Sequence, residues 1–222
     1  ENNLSETAFI VKEGERFAIR WFTPIAEVDL CGHATLATAF VIFRYLEPDT
    51  QEIEFDSRSG PLSVTRKGSE MRMDFPKDVP QSLSKQKGEI DGVIGGNTVA
   101  VMKGKDDILA ILATQLEVEK IRPDFGLMSK LDCRGLIVSA VGENYDFISR
   151  CFYPNYGVNE DPVTGSAHCL LAPYWSEVLH KKTLNARQLS RRGGSLTCKV
   201  GKNRVYLSGT CVPYMIGKIT LP

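Results

Sequence analysis

The sequence predicts an α+β fold of two similar halves, each a curved, mostly antiparallel sheet or barrel around one central buried helix. Three observations carry that expectation. First, an R-x-F-x-P pattern occurs at Arg20 to Pro24 and again at Arg150 to Pro154, and each copy is followed by a glutamate, a glycine five residues on and an alanine two further: Glu27, Gly32, Ala34 and Glu160, Gly165, Ala167. The two patterns recur in the same order at offsets of 130 (Arg20 to Arg150) and 133 (Glu27 to Glu160), which reads as an internal duplication. Second, each glycine opens a long apolar run, His33 to Phe43 and Ser166 to Trp175. The first is too long for a typical strand and apolar around nearly its whole circumference, so a helix buried on all sides is expected. Third, short segments with period-2 alternation flank both runs.

In chain order, strands are expected at 8–11 and 17–22 across a Glu13-Gly14 turn, and then the first buried helix. Strands at 53–55, 62–66 and 71–75 follow, the last two separated by Lys67-Gly68-Ser69. Pro76 to Gly96 is rich in Pro, Lys, Ser and Gly and reads as the linker. Beyond it come a strand at 98–102, an outer amphipathic helix at 106–120, strands at 136–141 and 147–152 around Gly142-Glu143-Asn144, and the second buried helix. Strands at 195–200 and 204–208 across Gly201-Lys202-Asn203, and a last one at 214–221, complete the reading. The division is therefore 1–90 for the N-terminal half, joined by a final strand at 213–222, and 91–212 for the C-terminal half, with a cleft between them. Carrying the repeat offset back from Asp91 puts the equivalent start of the first half roughly forty residues before Glu1, so two strands and an outer helix are expected to be absent from this chain.

Composition bounds the function. The 222 residues carry 27 basic and 27 acidic side chains and are 42% hydrophobic, which fits a globular chain and argues against a disordered or collagen-like one. Zero net charge removes the long-range attraction to polyphosphate and disfavours nucleic acid as a partner. The six cysteines lie far apart with no C-x-x-C pair, as expected for reduced thiols in a cytoplasmic protein. No run approaches the ~20 apolar residues of a membrane span, and Glu1-Asn2-Asn3 does not open a secretory signal.

Reactive side chains concentrate at Asn3 to Thr7, Glu27 to His33 and Glu160 to His168. The last two place Gly32 and Gly165 at helix starts, where free N–H groups and the positive end of the dipole form an anion site. Two such mouths facing one cleft suit a small substrate with a carboxylate or a developing oxyanion; the alternative is that each glycine serves only a tight strand-to-helix turn. For Glu27 and Glu160, capping or salt bridging is the favoured role. Glu6 fits the third position of a capping box begun at Asn3. His33 and His168 stand equally as structural hydrogen-bonders or as acid and base, while His180 beside Lys181 reads as solvated. Metal ligation by His33, His168, Asp161 and Glu27 lacks H-E-x-x-H or comparable spacing, and none is expected.

Three stretches, N-L-S-E-T-A-F at Asn3 to Phe9, F-T-P-x-x-E-V-x-L-C-G-H-A-T-L-A at Phe22 to Ala37, and G-V-x-E-D-P-V-T-G-S-A-H at Gly157 to His168, resemble the phenazine-biosynthesis isomerases, the PhzF-like family of the diaminopimelate-epimerase-like fold. The resemblance implies a homodimer without metal or organic cofactor, acting on a small substrate with a carboxylate. The founding activity isomerises trans-2,3-dihydro-3-hydroxyanthranilate by moving a proton between ring carbons through one glutamate. That glutamate matches Glu6, which reverses the capping reading; His33 and Asp161 match the other catalytic polar residues, and Ser5, Gly32, Gly165 and Ser166 match positions lining the pocket. A carboxylate in a water-poor pocket can have its pKa raised towards neutrality, which suits such a shuttle. The related racemases use two opposed cysteines; here Cys31 precedes Gly32, but Val163 stands at the second position. The family's first strand and G-N-P loop are not in this sequence. A non-catalytic binding protein of the same fold is the alternative.

Overall fold

A computed structural model describes residues 6–218. In chain order it contains β1 (Thr7–Glu13), β2 (Arg16–Phe22), β3 (Glu27–Val28), α1 (Gly32–Val41), β4 (Glu52–Ser57), β5 (Gly60–Lys67), β6 (Glu70–Pro76), β7 (Gln81–Ser82) and α2 (Lys87–Ile94). It continues with β8 (Ala100–Lys103), β9 (Asp107–Ile111), α3 (Gln115–Lys120), α4 (Phe125–Met128), β10 (Gly135–Val141), β11 (Phe147–Phe152), α5 (Gly165–Val178), β12 (Thr183–Gln188), β13 (Gly194–Val200) and β14 (Arg204–Gly209).

The duplication appears as two strand-helix-strand units. The R-x-F-x-P strand β2 runs through α1 into β4, and its counterpart β11 runs through α5 into β12; both pairs are parallel. Parallel neighbours need a crossover, and in each half the apolar run supplies it. Of the other strand pairs among the described residues, only β9 with β10 is parallel.

All strands belong to one continuous sheet, in the order β1-β2-β4-β5-β6-β14-β13-β12-β11-β10-β9-β8-β7, with β3 beside β2. Each half contributes a curved sheet of its own to this path. The two are joined because β14 pairs with β6 over Arg204↔Pro76 to Gly209↔Met71.

The main core gathers the inner faces of both halves around α1 and α5, with Trp21, Phe55, Phe75, Phe147, Trp175 and Leu207 among its buried side chains. A second core lies under α2, α3 and α4, on the other face of the C-terminal half, and includes Ile90, Val118, Met128, Leu136 and Phe152.

Four expectations are corrected. Residues 106–120 begin as β9, whose five residues are all buried, and only Gln115–Lys120 are helical. The helix starts there because Thr114 and Glu117 form a capping box, accepting from each other's backbone N–H. The linker at 76–96 holds β7 and α2. Residues 213–218 form no strand, and 219–222 lie outside the described residues. Helix α1 is not enclosed all round: Gly32, Ala34, Thr35 and Ala39 are buried, whereas Ala37 and Val41 are exposed. Strand β12 was not foreseen, although its alternation is plain in the buried Leu184, Ala186 and Gln188.

Candidate active site

The starts of α1 and α5 touch. A Cβ built on Gly32 would lie 3.0 Å from the Gly165 Cα, and one on Gly165 would lie 3.1 Å from the Gly32 Cα. A side chain at either position would make the facing backbone give by a few tenths of an ångström, so the close approach favours glycine at both. Neither helix has a side-chain cap hydrogen bond at its first turn. Two sets of N–H groups and two positive dipole ends therefore converge.

A cavity of about 700 Å³ opens at this meeting point and is lined by Glu6, Gly32, His33, Asp161, Gly165 and Ser166 together with Cys31, Arg134 and Tyr153. Ser5 lies outside the described residues. Glu6 directly precedes β1, so the capping-box reading fails: the residues that follow form a strand and not a helix. His33 stands in the first turn of α1. Its Nδ1 donates to the Val163 carbonyl oxygen at 3.1 Å, across the boundary between the halves, and its Nε2 lies 3.1 Å from Glu6 Oε2. Cys31 Sγ is 3.8 Å from both ring nitrogens. Burial opposes charge on His33, but hydrogen bonds to Cys31 and Glu6 and the negative charge of Asp161 outweigh it, holding the imidazole well above its ordinary pKa.

Asp161 is 5% exposed. Its Oδ2 accepts a hydrogen bond from the Thr164 hydroxyl, while its Oδ1 is buried with no hydrogen-bond partner among the described residues. Burial raises its pKa, with Glu6 adding to the rise and the His33 charge opposing it. Gln188, fully buried on β12, fixes the loop: its Nε2 donates to the Asp161 carbonyl at 2.7 Å, and its Oε1 accepts from the Thr164 backbone N–H at 2.8 Å. Ser166 accepts from Arg134 Nη2 at 3.1 Å, and Arg134 Nε donates to the buried Asp107 at 2.9 Å. Tyr153, buried against the Arg134 guanidinium, has a hydroxyl with no partner among the described residues.

Glu27 and Glu160 take the structural role expected of them. Arg20 Nε and Nη2 donate to Glu27 at 2.7 Å each, and Arg150 donates to Glu160 at 2.7 and 3.0 Å. His168 is buried in α5, its Nδ1 donating to the Thr164 carbonyl at 2.7 Å, and burial lowers its pKa to about 4. Neither Glu27 nor His168 joins His33 as a candidate metal ligand. The compatible donor group among the described residues is Glu6, Cys31 and His33. Gln188, Arg134 and Tyr153 were not foreseen. Tyr153 was findable, since it occupies the x of the second R-x-F-x-P, where the first copy places Thr23 against the same cavity.

All six cysteines are free. Among the described residues no helix is long and apolar enough to cross a membrane.

With the site's geometry established, relatives can be placed beside it. An uncharacterized isomerase of Pseudomonas aeruginosa is 47% identical over 221 residues, spanning 100% of this chain and 84% of that protein. A crystal structure of a phenazine biosynthesis protein of the PhzF family from Enterococcus faecalis has a TM-score of 0.89 at 48% identity, covering 94% of this chain and 80% of that one. A hydroxyproline epimerase from Agrobacterium vitis, at 9% identity, a TM-score of 0.61 and coverage of 94% of this chain and 72% of that one, shares the fold alone, which is diaminopimelate-epimerase-like. The family model described as phenazine biosynthesis-like protein matches residues 1–217, the span that contains both helix mouths and everything around them, and the chain belongs to that family.

Proposed function

We propose that the protein is a cofactor-independent isomerase that moves a proton between two carbons of a small, carboxylate-bearing substrate. The observation that carries this reading is the Glu6 carboxylate held 3.1 Å from the His33 ring, beside two helix starts that touch and carry no side-chain caps. The substrate carboxylate sits at the N–H groups of those starts, from Gly32 on one side and from Gly165 and Ser166 on the other. Glu6 takes a proton from one carbon and returns it to a second, so the net proton count is unchanged. Both carbons therefore lie within hydrogen-bond reach of one carboxyl group. Charge developing on substrate oxygen or nitrogen is met by His33 Nε2–H and by the open lone pairs of Asp161 Oδ1. The relatives named as isomerases support the reaction class.

The working unit in this reading is a homodimer, which sedimentation equilibrium tests, and free thiols suit a reducing compartment such as the cytoplasm. The decisive experiment uses trans-2,3-dihydro-3-hydroxyanthranilate and related unsaturated carboxylates in deuterated water. Isomerised product carrying carbon-bound deuterium is expected, and Glu6→Gln should abolish it. Equal activity in Glu6→Gln removes Glu6 from the mechanism, and no conversion of any substrate by the parent favours a binding protein of the same fold.

A further inference from the structure

We propose that Glu6, Cys31 and His33 also form a binding site for a thiophilic divalent cation of the zinc class, overlapping the proton-transfer site and acting as an inhibitor. The proposed reaction needs no metal, and the ion is an external ligand. Three donors of different chemistry meet: a carboxylate oxygen, a thiol sulfur and an imidazole nitrogen, all within 4.8 Å of one another. Cys31 Sγ stands 3.8 Å from His33 Nε2, and that nitrogen stands 3.1 Å from Glu6 Oε2. Tetrahedral zinc holds sulfur at about 2.3 Å and nitrogen or oxygen at about 2.0–2.2 Å, which places neighbouring ligand atoms roughly 3.2–3.7 Å apart. Cys31–His33 and His33–Glu6 are thus within a few tenths of an ångström of the spacing the ion imposes, and Glu6 and Cys31 are within 4.8 Å, close enough for side-chain rotation to bring them to one ion.

A second observation is the ring's orientation. The Nδ1–H bond to the Val163 carbonyl, at 3.1 Å, fixes the imidazole with Nε2 towards Glu6, and Cys31 Sγ stands beside the ring, 3.8 Å from either nitrogen. Metal-bound imidazoles are held in this way by an acceptor on the second ring nitrogen. Asp161 adds a third observation: it lines the same cavity, is 5% exposed, and its Oδ1 has no hydrogen-bond partner among the described residues, leaving a carboxylate oxygen to offset the charge of an ion. Sulfur and nitrogen donors select zinc or cadmium over magnesium and calcium, which prefer all-oxygen sets. On binding, the Cys31 thiol proton and any His33 Nε2 proton leave to solvent as the S–metal and N–metal bonds form. The ion then occupies the carboxylate oxygen and the ring nitrogen that proton transfer uses. Metal binding stands on the donors alone, whereas inhibition rests on the isomerase reading.

The test is calorimetric titration of the full chain with zinc chloride at neutral pH in a non-coordinating buffer, repeated with Cys31→Ser and Glu6→Gln. One equivalent should bind the parent, and Cys31→Ser should weaken it by more than ~100-fold, beyond the roughly 10–100-fold cost of a lost outer-shell partner. Cobalt(II) bound to the parent should give a thiolate-to-cobalt absorption in the near ultraviolet, a readout that needs no variant to fold. Zinc bound equally by parent and Cys31→Ser, or cobalt bound without that absorption, overturns the site. Isomerase activity measured in chelator-treated protein stands or falls separately, so a thiolate-bound metal in a chain without turnover sinks the isomerase reading and leaves the metal site in place.

Discussion

The two helix mouths share one geometry and divide the chemistry between them. Each follows an arginine-glutamate pair, each opens on a glycine without a side-chain cap, and the two glycines touch. Yet the first mouth carries titratable groups in contact, with His33 against Glu6 and Cys31, while in the second the one titratable group facing the cavity, Asp161, is held by Thr164 in a network with Gln188, and Ser166 is bonded to Arg134. The two histidines make the contrast sharpest. His33 is in the cavity with its pKa raised, whereas His168, three residues past Gly165, is sealed in the core with its pKa lowered. Duplication supplies a symmetric cradle, and in the proposed reaction the broken symmetry gives one wall to proton transfer and the other to anchoring.

The largest effect expected from this contrast is kinetic. Glu6→Gln should lower kcat by about 10²–10⁴, the usual worth of a general acid-base. Ser166→Ala keeps the backbone N–H and removes only the Arg134 acceptor, so it should act mainly on KM and by less than about tenfold. Steady-state kinetics with the two effects exchanged would erase the division.

Next comes acid stability. The folded pKa of His168, about 4, lies below the unfolded value of about 6.5, so the unfolded chain protonates first as pH falls. This stabilisation is complete above pH 6.5 and is lost progressively down to pH 4, amounting to about 3 kcal/mol over that window. Urea titrations at pH 7 and pH 5 should show a drop that His168→Asn largely removes. The same slope in both proteins would place the acid sensitivity elsewhere.

Gly32→Ala and Gly165→Ala should each cost about 1–3 kcal/mol, because the added Cβ meets backbone and not a flexible side chain. Once one substitution has parted the helices, the other should cost less, leaving a coupling of at least about 0.5 kcal/mol in a double-mutant cycle. Strict additivity would mean that the helix starts do not share one contact. The smallest effect separates the arginine-glutamate pairs. Arg150 is 13% exposed in its side chain and also donates to the Val118 and Ile121 carbonyls, whereas Arg20 is 57% exposed. Arg150→Gln should therefore lose about 1–3 kcal/mol, and Arg20→Gln clearly less; thermal melts showing the reverse order would contradict the burial argument.

What the sequence reveals about this molecule follows from range. Each R-x-F-x-P, glutamate and glycine set is local, and its copy recurs at offsets of 130 and 133, so the duplicated strand-helix-strand units and the facing of the two mouths could be anticipated by comparing the copies. Gln188 could not be found that way. It lies on β12, 27 residues beyond Asp161, and becomes significant only because β12 runs parallel to β11. Arg134, just before β10, likewise reaches Asp107 on β9 and Ser166 at the start of α5. Residues 106–120 were misread for a different reason: a fully buried strand has no polar face, so β9 shows no alternation, and its apolar residues merge with the short helix that follows.

The β6 to β14 pairing has a consequence for how the protein is made. Strand β6 ends at Pro76, but its partner ends at Gly209, so more than half of the chain must emerge from the ribosome before that ladder can close. Until then the nascent first half carries an unpaired row of backbone donors and acceptors along β6. Contacts this distant in sequence slow folding and lengthen the exposure of such an edge. How long that edge stays open during synthesis is thus set by a single strand pairing.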